Sequence, residues 1–152
     1  MHELHVRAEL KKPRSGKACA GLLKITPKGY DGARMQTAKL TKADGSVVCA
    51  RCHLAVRPWS RMRGLLGRAS LDADEGMLFR PASSIHMMFM RFTIDAVFLD
   101  RELVVVDVVR SLKPWRMASR RGSKVVVELA EGAADAAGVR SGDQLVLATI
   151  DA

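Results

Sequence analysis

The chain has 152 residues, with 25 Lys and Arg against 16 Asp and Glu, 48% apolar residues and 5% aromatics. That length and apolar content suit one domain with a real core, with or without a tail. No apolar run approaches the ~18–20 residues of a membrane span, and three cysteines cannot close a disulfide framework.

The first 45 residues carry ten Lys or Arg and four Asp or Glu, so most of the net charge of +9 sits there. Arg7, Lys11, Lys12, Arg14 and Lys17 interrupt any apolar stretch of the kind a secretory signal needs, and the chain reads as cytoplasmic. With few periodic apolar residues, 1–45 reads as a basic flexible leader, too polar to offset its ordering entropy. Such a leader could neutralise phosphates and bind nucleic acid. A solvated tail is the plainer reading, because no set of stacking aromatics accompanies the charge. Met35 marks a point where a shorter chain could begin.

From Ser46 the texture changes, and a single β-rich domain is expected over 46–152. Val47 to Val56 reads as a strand. Pro58 then suits the first turn of a helix, in which Trp59, Met62, Leu65 and Leu66 share one face and Gly67 ends it. Further strands are expected at Met77–Arg80, Ile85–Met90, Ile94–Leu99, Leu103–Arg110, Lys124–Leu129 and Gln144–Ala148. Asp100-Arg101-Glu102 is short enough for a hairpin, 111–123 reads as a polar loop, and Glu131–Ala137 as a helix of one or two turns ended by Gly138. Both faces of 94–99 and 103–109 are mostly apolar, which predicts strands covered on each side. The sum is a mainly β protein, a compact antiparallel β-sandwich or barrel with one or two short helices.

Cys49-Ala50-Arg51-Cys52-His53 is a C-x-x-C-H string. As a haem attachment site it would need export and a helical fold. As a zinc site it lacks a second pair of ligands, with His86 the one remote partner. On a regular strand Cys49 and Cys52 point to opposite faces, so the expectation is two separate thiols unless a bulge intervenes. A thiol or metal protein using Cys49, Cys52, His53 and His86 remains an alternative. The run His86-Met87-Met88-Phe89-Met90 offers soft ligands of the kind Cu(I) takes, but methionine also fills irregular β cores, which is the preferred reading.

Asp95 and Asp107 interrupt apolar strands. A buried carboxylate is costly unless paired, so Asp95 is expected to be held by an arginine or by backbone amides. No nucleophile–base pair accompanies either acid, and no catalytic residue is assigned. Two acid-free basic stretches remain: 51–71, with Arg51, Arg57, Arg61, Arg63 and Arg68, and 108–127, with Arg110, Lys113, Arg116, Arg120, Arg121 and Lys124 around Trp115. Brought together, they would form a cationic groove for an acidic ligand or partner.

Arg61-Met62-Arg63-Gly64-Leu65-Leu66-Gly67-Arg68 followed by Gly76-Met77-Leu78-Phe79 resembles the opening pattern of the prokaryotic family known as domain of unknown function 192. The resemblance continues through Ile85-His86-Met87, Ile94 to Asp100, Val127 to Gly132 and Gly138 to Asp143, covering about residues 47–149. It implies a compact, jelly-roll-like β fold and no established reaction or cofactor, and many relatives look exported or lipid-anchored. Where the family pattern has Trp-Met-Lys-Asn-Thr, this chain has His86 to Met90, so a ligand contact through that Lys-Asn pair is absent. The resulting expectation is a small non-enzymatic binding or accessory module without a cofactor. Arg61, Arg63, Arg68, His86, Asp95 and Trp115 would present a groove to an acidic ligand or partner protein, and nucleic acid would bind only through the leader.

Overall fold

The computed structural model describes residues 36–55 and 65–149. Nine strands and one helical turn follow in order: β1 (Thr37–Lys42), β2 (Val47–Ala55), β3 (Glu75–Phe79), β4 (Ser84–His86), β5 (Ile94–Leu99), β6 (Val105–Leu112), β7 (Met117–Ser119), β8 (Val125–Ala130), α1 (Ala133–Ala136) and β9 (Leu145–Thr149). Seven strands form one sheet in the order β6-β5-β8-β3-β2-β1-β9, and β4 and β7 form a second, two-stranded sheet. The fold is mainly β, as expected.

The large sheet is mixed rather than antiparallel throughout, because β2 and β3 run parallel. A parallel pair needs a crossover, and residues 56–74 supply it. Leu65 and Leu71 in that segment pack into the same apolar layer as Met77 of β3, which places its described part on one face of the sheet. The sheet curls but does not close. Its two edges meet through a bridge between Val104 and Gln144, just ahead of β6 and β9.

Two apolar layers result, one on each face. The concave layer gathers Ala38 and Leu40 of β1, Leu54 of β2, Val97 and Leu99 of β5, Val127 and Leu129 of β8, and Leu145 of β9. The other layer holds Met77, Ile94, Ala96, Phe98 and Val126 from the sheet. It is roofed by Ile85, Met87 and Met90 around β4, with Ala118 of β7. The β4–β7 pair is therefore a flap lying on the second face. β5 and β8 are buried at every position, which bears out the reading of 94–99 as covered on both sides. β6, at an edge, is only half-buried along most of its length.

Several boundaries moved. The folded body already includes β1 at Thr37–Lys42, inside the stretch read as a leader. Only Ala38 and Leu40 there are fully buried, among lysines and threonines, and pairing with both β2 and β9 supplies the order that composition hides. The polar loop expected at 111–123 contains β7, which pairs with β4 in register His86↔Met117. The helix expected from Pro58 to Leu66 lies mostly outside the described residues, and Leu65–Gly67 is a turn. The helix expected at Glu131–Ala137 is one turn, Ala133–Ala136.

Asp95 is buried and held by backbone amides, as its place in an apolar strand demands. Its carboxylate accepts the N–H of Ser111 at 2.9 Å and of Ala134 at 3.1 Å. The first bond follows from a bulge in β6, where Arg110 and Ser111 both oppose Asp95. Ser111 has a φ of 49°, and its N–H serves the carboxylate rather than the ladder. Asp107 pairs with Arg120, which holds its carboxyl below the usual range.

Gly76 marks the closest approach in the sheet. A Cβ there would stand 2.9 Å from Leu129 Cδ2, 3.0 Å from Cys49 Sγ and 3.0 Å from the Glu128 carbonyl oxygen. Because one neighbour is backbone, relief by side-chain movement is not available on every side. Gly76→Ala is expected to destabilise the fold by about 1–3 kcal/mol, the usual cost of overpacking, as read by urea unfolding. An unchanged midpoint would show that β3 is free to shift.

Candidate functional site

The residues expected to line one groove divide among different places. Arg61 and Arg63 lie outside the described residues. Asp95 faces the concave layer, bonded to backbone, and takes no part in a groove on the flap side. Arg68 is committed to Glu75 of β3, its Nη1 lying 2.8 Å from Oε1. Among the described members of the set, His86 and Trp115 come together, both on the flap.

The flap's outer side is an apolar surface rimmed by cations. The strand predicted over Ile85–Met90 ends at His86, and the chain turns at Met87–Met90. The turn buries Met87 and Met90 and sends Met88 and Phe89 outward. Phe89 is 67% exposed, Trp115 62% and Met117 72%. The rings of Phe89 and Trp115 meet edge to face at 5.0 Å. Backbone bonds lock the two tips together: Trp115 N–H donates to the Met87 carbonyl at 2.9 Å, and Met87 N–H to that of Arg116 at 2.8 Å. Phe89 and Trp115 both have left-handed backbones, φ 64° and 65°, a conformation that bulky residues adopt only under strain. His86, exposed on β4, lies opposite Met117. Arg91, Lys113 and Arg116 surround this patch and make no ion pair with any described acid, and no Asp or Glu occurs at 76–94 or 108–127.

The C-x-x-C-H segment departs from regular alternation. Cys49 and Cys52 lie in the same concave layer, not on opposite faces. Across β2, Leu40 is opposite Cys49 and Ala38 opposite Cys52, so Ala50 and Arg51 together face Lys39. That extra residue reverses the alternation. The Cys49 thiol donates to the Asp74 carbonyl oxygen at 3.5 Å. The nearness of the two thiols depresses the Cys49 pKa, while the same nearness and burial push Cys52 well above the ordinary thiol range. His53 points to the other face, where its ring bonds Thr37 Oγ1 at 3.3 Å and Glu75 Oε1 at 2.8 Å, and His86 stands on the flap. The four residues named for a metal therefore do not converge. No group of three or more His, Cys, Asp or Glu among the described residues could hold an ion.

Two buried acids escaped the sequence reading, and both lie on the flap-side face. Burial raises the Glu75 pKa, but hydrogen bonds from Arg68 and His53 outweigh it and hold the group below its usual value. Arg68 belongs to the crossover, so this pairing ties the crossover to the sheet. Glu128 of β8 is treated differently. Its direct neighbours across the sheet are Met77 and Ala96, no described residue bonds its carboxyl, and burial alone raises its pKa to about 8. The position within Val125–Ala130, a fully buried strand, was the signal available beforehand.

Residues 39–147 match the DUF192 family, described as an uncharacterised ACR. A UPF0127 protein of Thermococcus sibiricus is 32% identical over 113 residues, covering 70% of this chain and 71% of that protein. A UPF0127 protein of Pyrococcus furiosus is 42% identical over 64 residues, 41% of this chain and 54% of its own length. Among solved structures, a Sinorhizobium meliloti protein described as a candidate transcription regulator superposes with a TM-score of 0.66 at 25% identity, covering 78% of this chain and 98% of that one. A protein of unknown function from Novosphingobium aromaticivorans gives 0.62 at 21% identity, covering 88% and 99%.

The Glu128 shift carries a sign that can be checked. Its folded pKa lies above the ordinary 4.5, so the folded state holds the proton more tightly, and stability is lost as pH rises from about 4.5 to about 8. Glu128→Gln removes that loss. Its melting temperature is expected to exceed that of the parent increasingly across this window and to run parallel above it. Parallel curves from pH 4 to 9 would contradict the assignment.

Proposed function

We propose that this chain, which belongs to the uncharacterised DUF192 family, is a binding module that receives an acidic protein partner on the outer side of its flap. The observation that carries this reading is the exposure of Met88, Phe89, Trp115 and Met117 together within an acid-free, cationic surround. Soluble proteins rarely leave such patches uncovered. Aromatic residues, methionine and arginine are the types enriched where proteins meet, and buried aromatic anchors dominate binding energy. The left-handed backbones at Phe89 and Trp115 add weight, because strain of ~1 kcal/mol or more per residue persists where display of the side chain repays it.

His86 and Trp115 keep the roles expected of them. Lys113, Arg116 and Arg91 replace Arg61, Arg63, Arg68 and Asp95 as the polar part of the surface. Their charge would steer acidic partners and make association salt-dependent. The reading needs no nucleophile or metal, and a cytoplasmic setting belongs to the same proposal.

The double variant Phe89→Asn/Trp115→Asn tests it, since asparagine tolerates a left-handed backbone. The expected outcome is an unchanged or raised melting temperature. Isothermal titration with a peptide alternating Glu and Leu should show affinity at least tenfold weaker than that of the parent. Equal affinity, or no binding by the parent at low salt, would count against the proposal.

The description of the Sinorhizobium protein favours a second reading, nucleic-acid binding, here through the basic residues 1–34. Duplex DNA binding that weakens steeply between 50 and 200 mM salt and vanishes on truncation to Met35 would support it. Binding that survives truncation would move it to the folded body.

A further inference from the structure

Among the described residues, the buried acids follow a rule with one exception. Asp95 is met by two amides and Glu75 by Arg68 and His53, while Glu128, only 8% exposed, is met by nothing described. A buried polar group without a partner costs free energy and calls for an explanation.

The position of Glu128 narrows the explanation. It sits on the flap-side face with Val126 and Ala130 along its own strand, and Met77 and Ala96 directly across. Alanine offers no polar group, and a thioether is a weak acceptor. Among the described residues, no fully enclosed side-chain oxygen or nitrogen lacks a hydrogen-bond partner. Since the Glu128 carboxyl has none, its oxygens are not fully enclosed and keep a small accessible surface. The layer around it includes three buried methionines, Met77, Met87 and Met90, side chains that adjust their shape to what they contact.

We infer that Glu128 is the polar anchor of a second binding site, between the sheet and the flap, for an apolar ligand bearing a carbonyl or carboxylate oxygen. A carboxyl kept neutral in such a setting is a hydrogen-bond donor, as a protonated acid in an apolar site can be. Its donor hydrogen then meets the ligand oxygen, and the ligand's apolar body meets the methionine layer. An ammonium ligand fits less well: it would have to enter a chain of net charge +9 and convert Glu128 to a buried ion, where desolvation consumes most of the pairing energy. The charged or titratable groups on this face among the described residues are His53 and Glu75 with Arg68, and Asp107 of β6 with Arg120, which stands over the Phe98 ring; each set satisfies itself. β5 and the inner side of the flap contribute none. The site is independent of the outer flap surface.

Thermal unfolding of the full chain with millimolar hexanamide, hexanoate or hexylamine tests the inference. Hexanamide and hexanoate are expected to raise the melting temperature by about 2–4 °C at pH 6.5 through preferential binding to the folded state. The effect should disappear at pH 9.5, where the Glu128 proton is gone. Glu128→Gln keeps an N–H donor that does not titrate, so hexanamide should stabilise it equally at both pH values. Glu128→Met keeps the volume and should lose the response. The Phe89→Asn/Trp115→Asn variant should respond to hexanamide as the parent does, which separates this site from the outer surface. The inference is overturned by hexylamine stabilisation that grows with pH, by an undiminished response in Glu128→Met, or by no response to the amide and the acid in either the parent or Glu128→Gln.

Discussion

The structure depends on one constraint: the central strands β5 and β8 are covered on both faces. A strand in that position has no solvent side on which to place a polar group, so every acid it carries must be answered from within. Asp95 is answered by an amide freed at a bulge and by the first turn of α1. That pairing joins β5, β6 and α1 into one unit, because the carboxylate bonds to both neighbours. Glu75, at the head of β3, is answered by His53 and Arg68, which fastens the crossover to the sheet. Glu128 is left to the proton.

The flap makes this arrangement coherent. Its inner side closes the second layer with Ile85, Met87 and Ala118, and its outer side carries Met88, Phe89, Trp115 and Met117. One short element thus separates a buried acid from an exposed aromatic surface. The backbone bonds between Trp115 and Met87 and between Met87 and Arg116 hold those two sides in fixed relation.

Much of this was legible in the residues. Strands β2, β5, β6, β8 and β9 announced themselves by apolar runs between turn residues, the hairpin at Asp100–Glu102 by its length, and the need to satisfy Asp95 by its surroundings. What stayed hidden depended on long-range pairing. β1 has too few apolar residues to be seen without β2 and β9 beside it. The parallel register of β2 and β3 cannot be read from either strand alone. The meeting of Cys49 and Cys52 hinged on one extra residue opposite Lys39, and alternation over-ruled by a bulge leaves no local mark. Of the residues expected to line one groove, His86 and Trp115 stand near each other on the flap, whereas Asp95 faces the other layer; a strand pattern does not say which layer lies inside. The importance of Glu128 emerged only when its neighbours proved to be Met77 and Ala96.

The account stands or falls on the state of that side chain. Carbon-detected NMR titration of the glutamate carboxyl carbons, assigned with Glu128→Gln, measures it directly. The account predicts a Glu128 resonance that is protonated at pH 7 and titrates near 8. A carboxyl carbon that titrates near 4.5 would mean an ionised, well-answered Glu128, and would contradict both the unpartnered acid and the site built upon it.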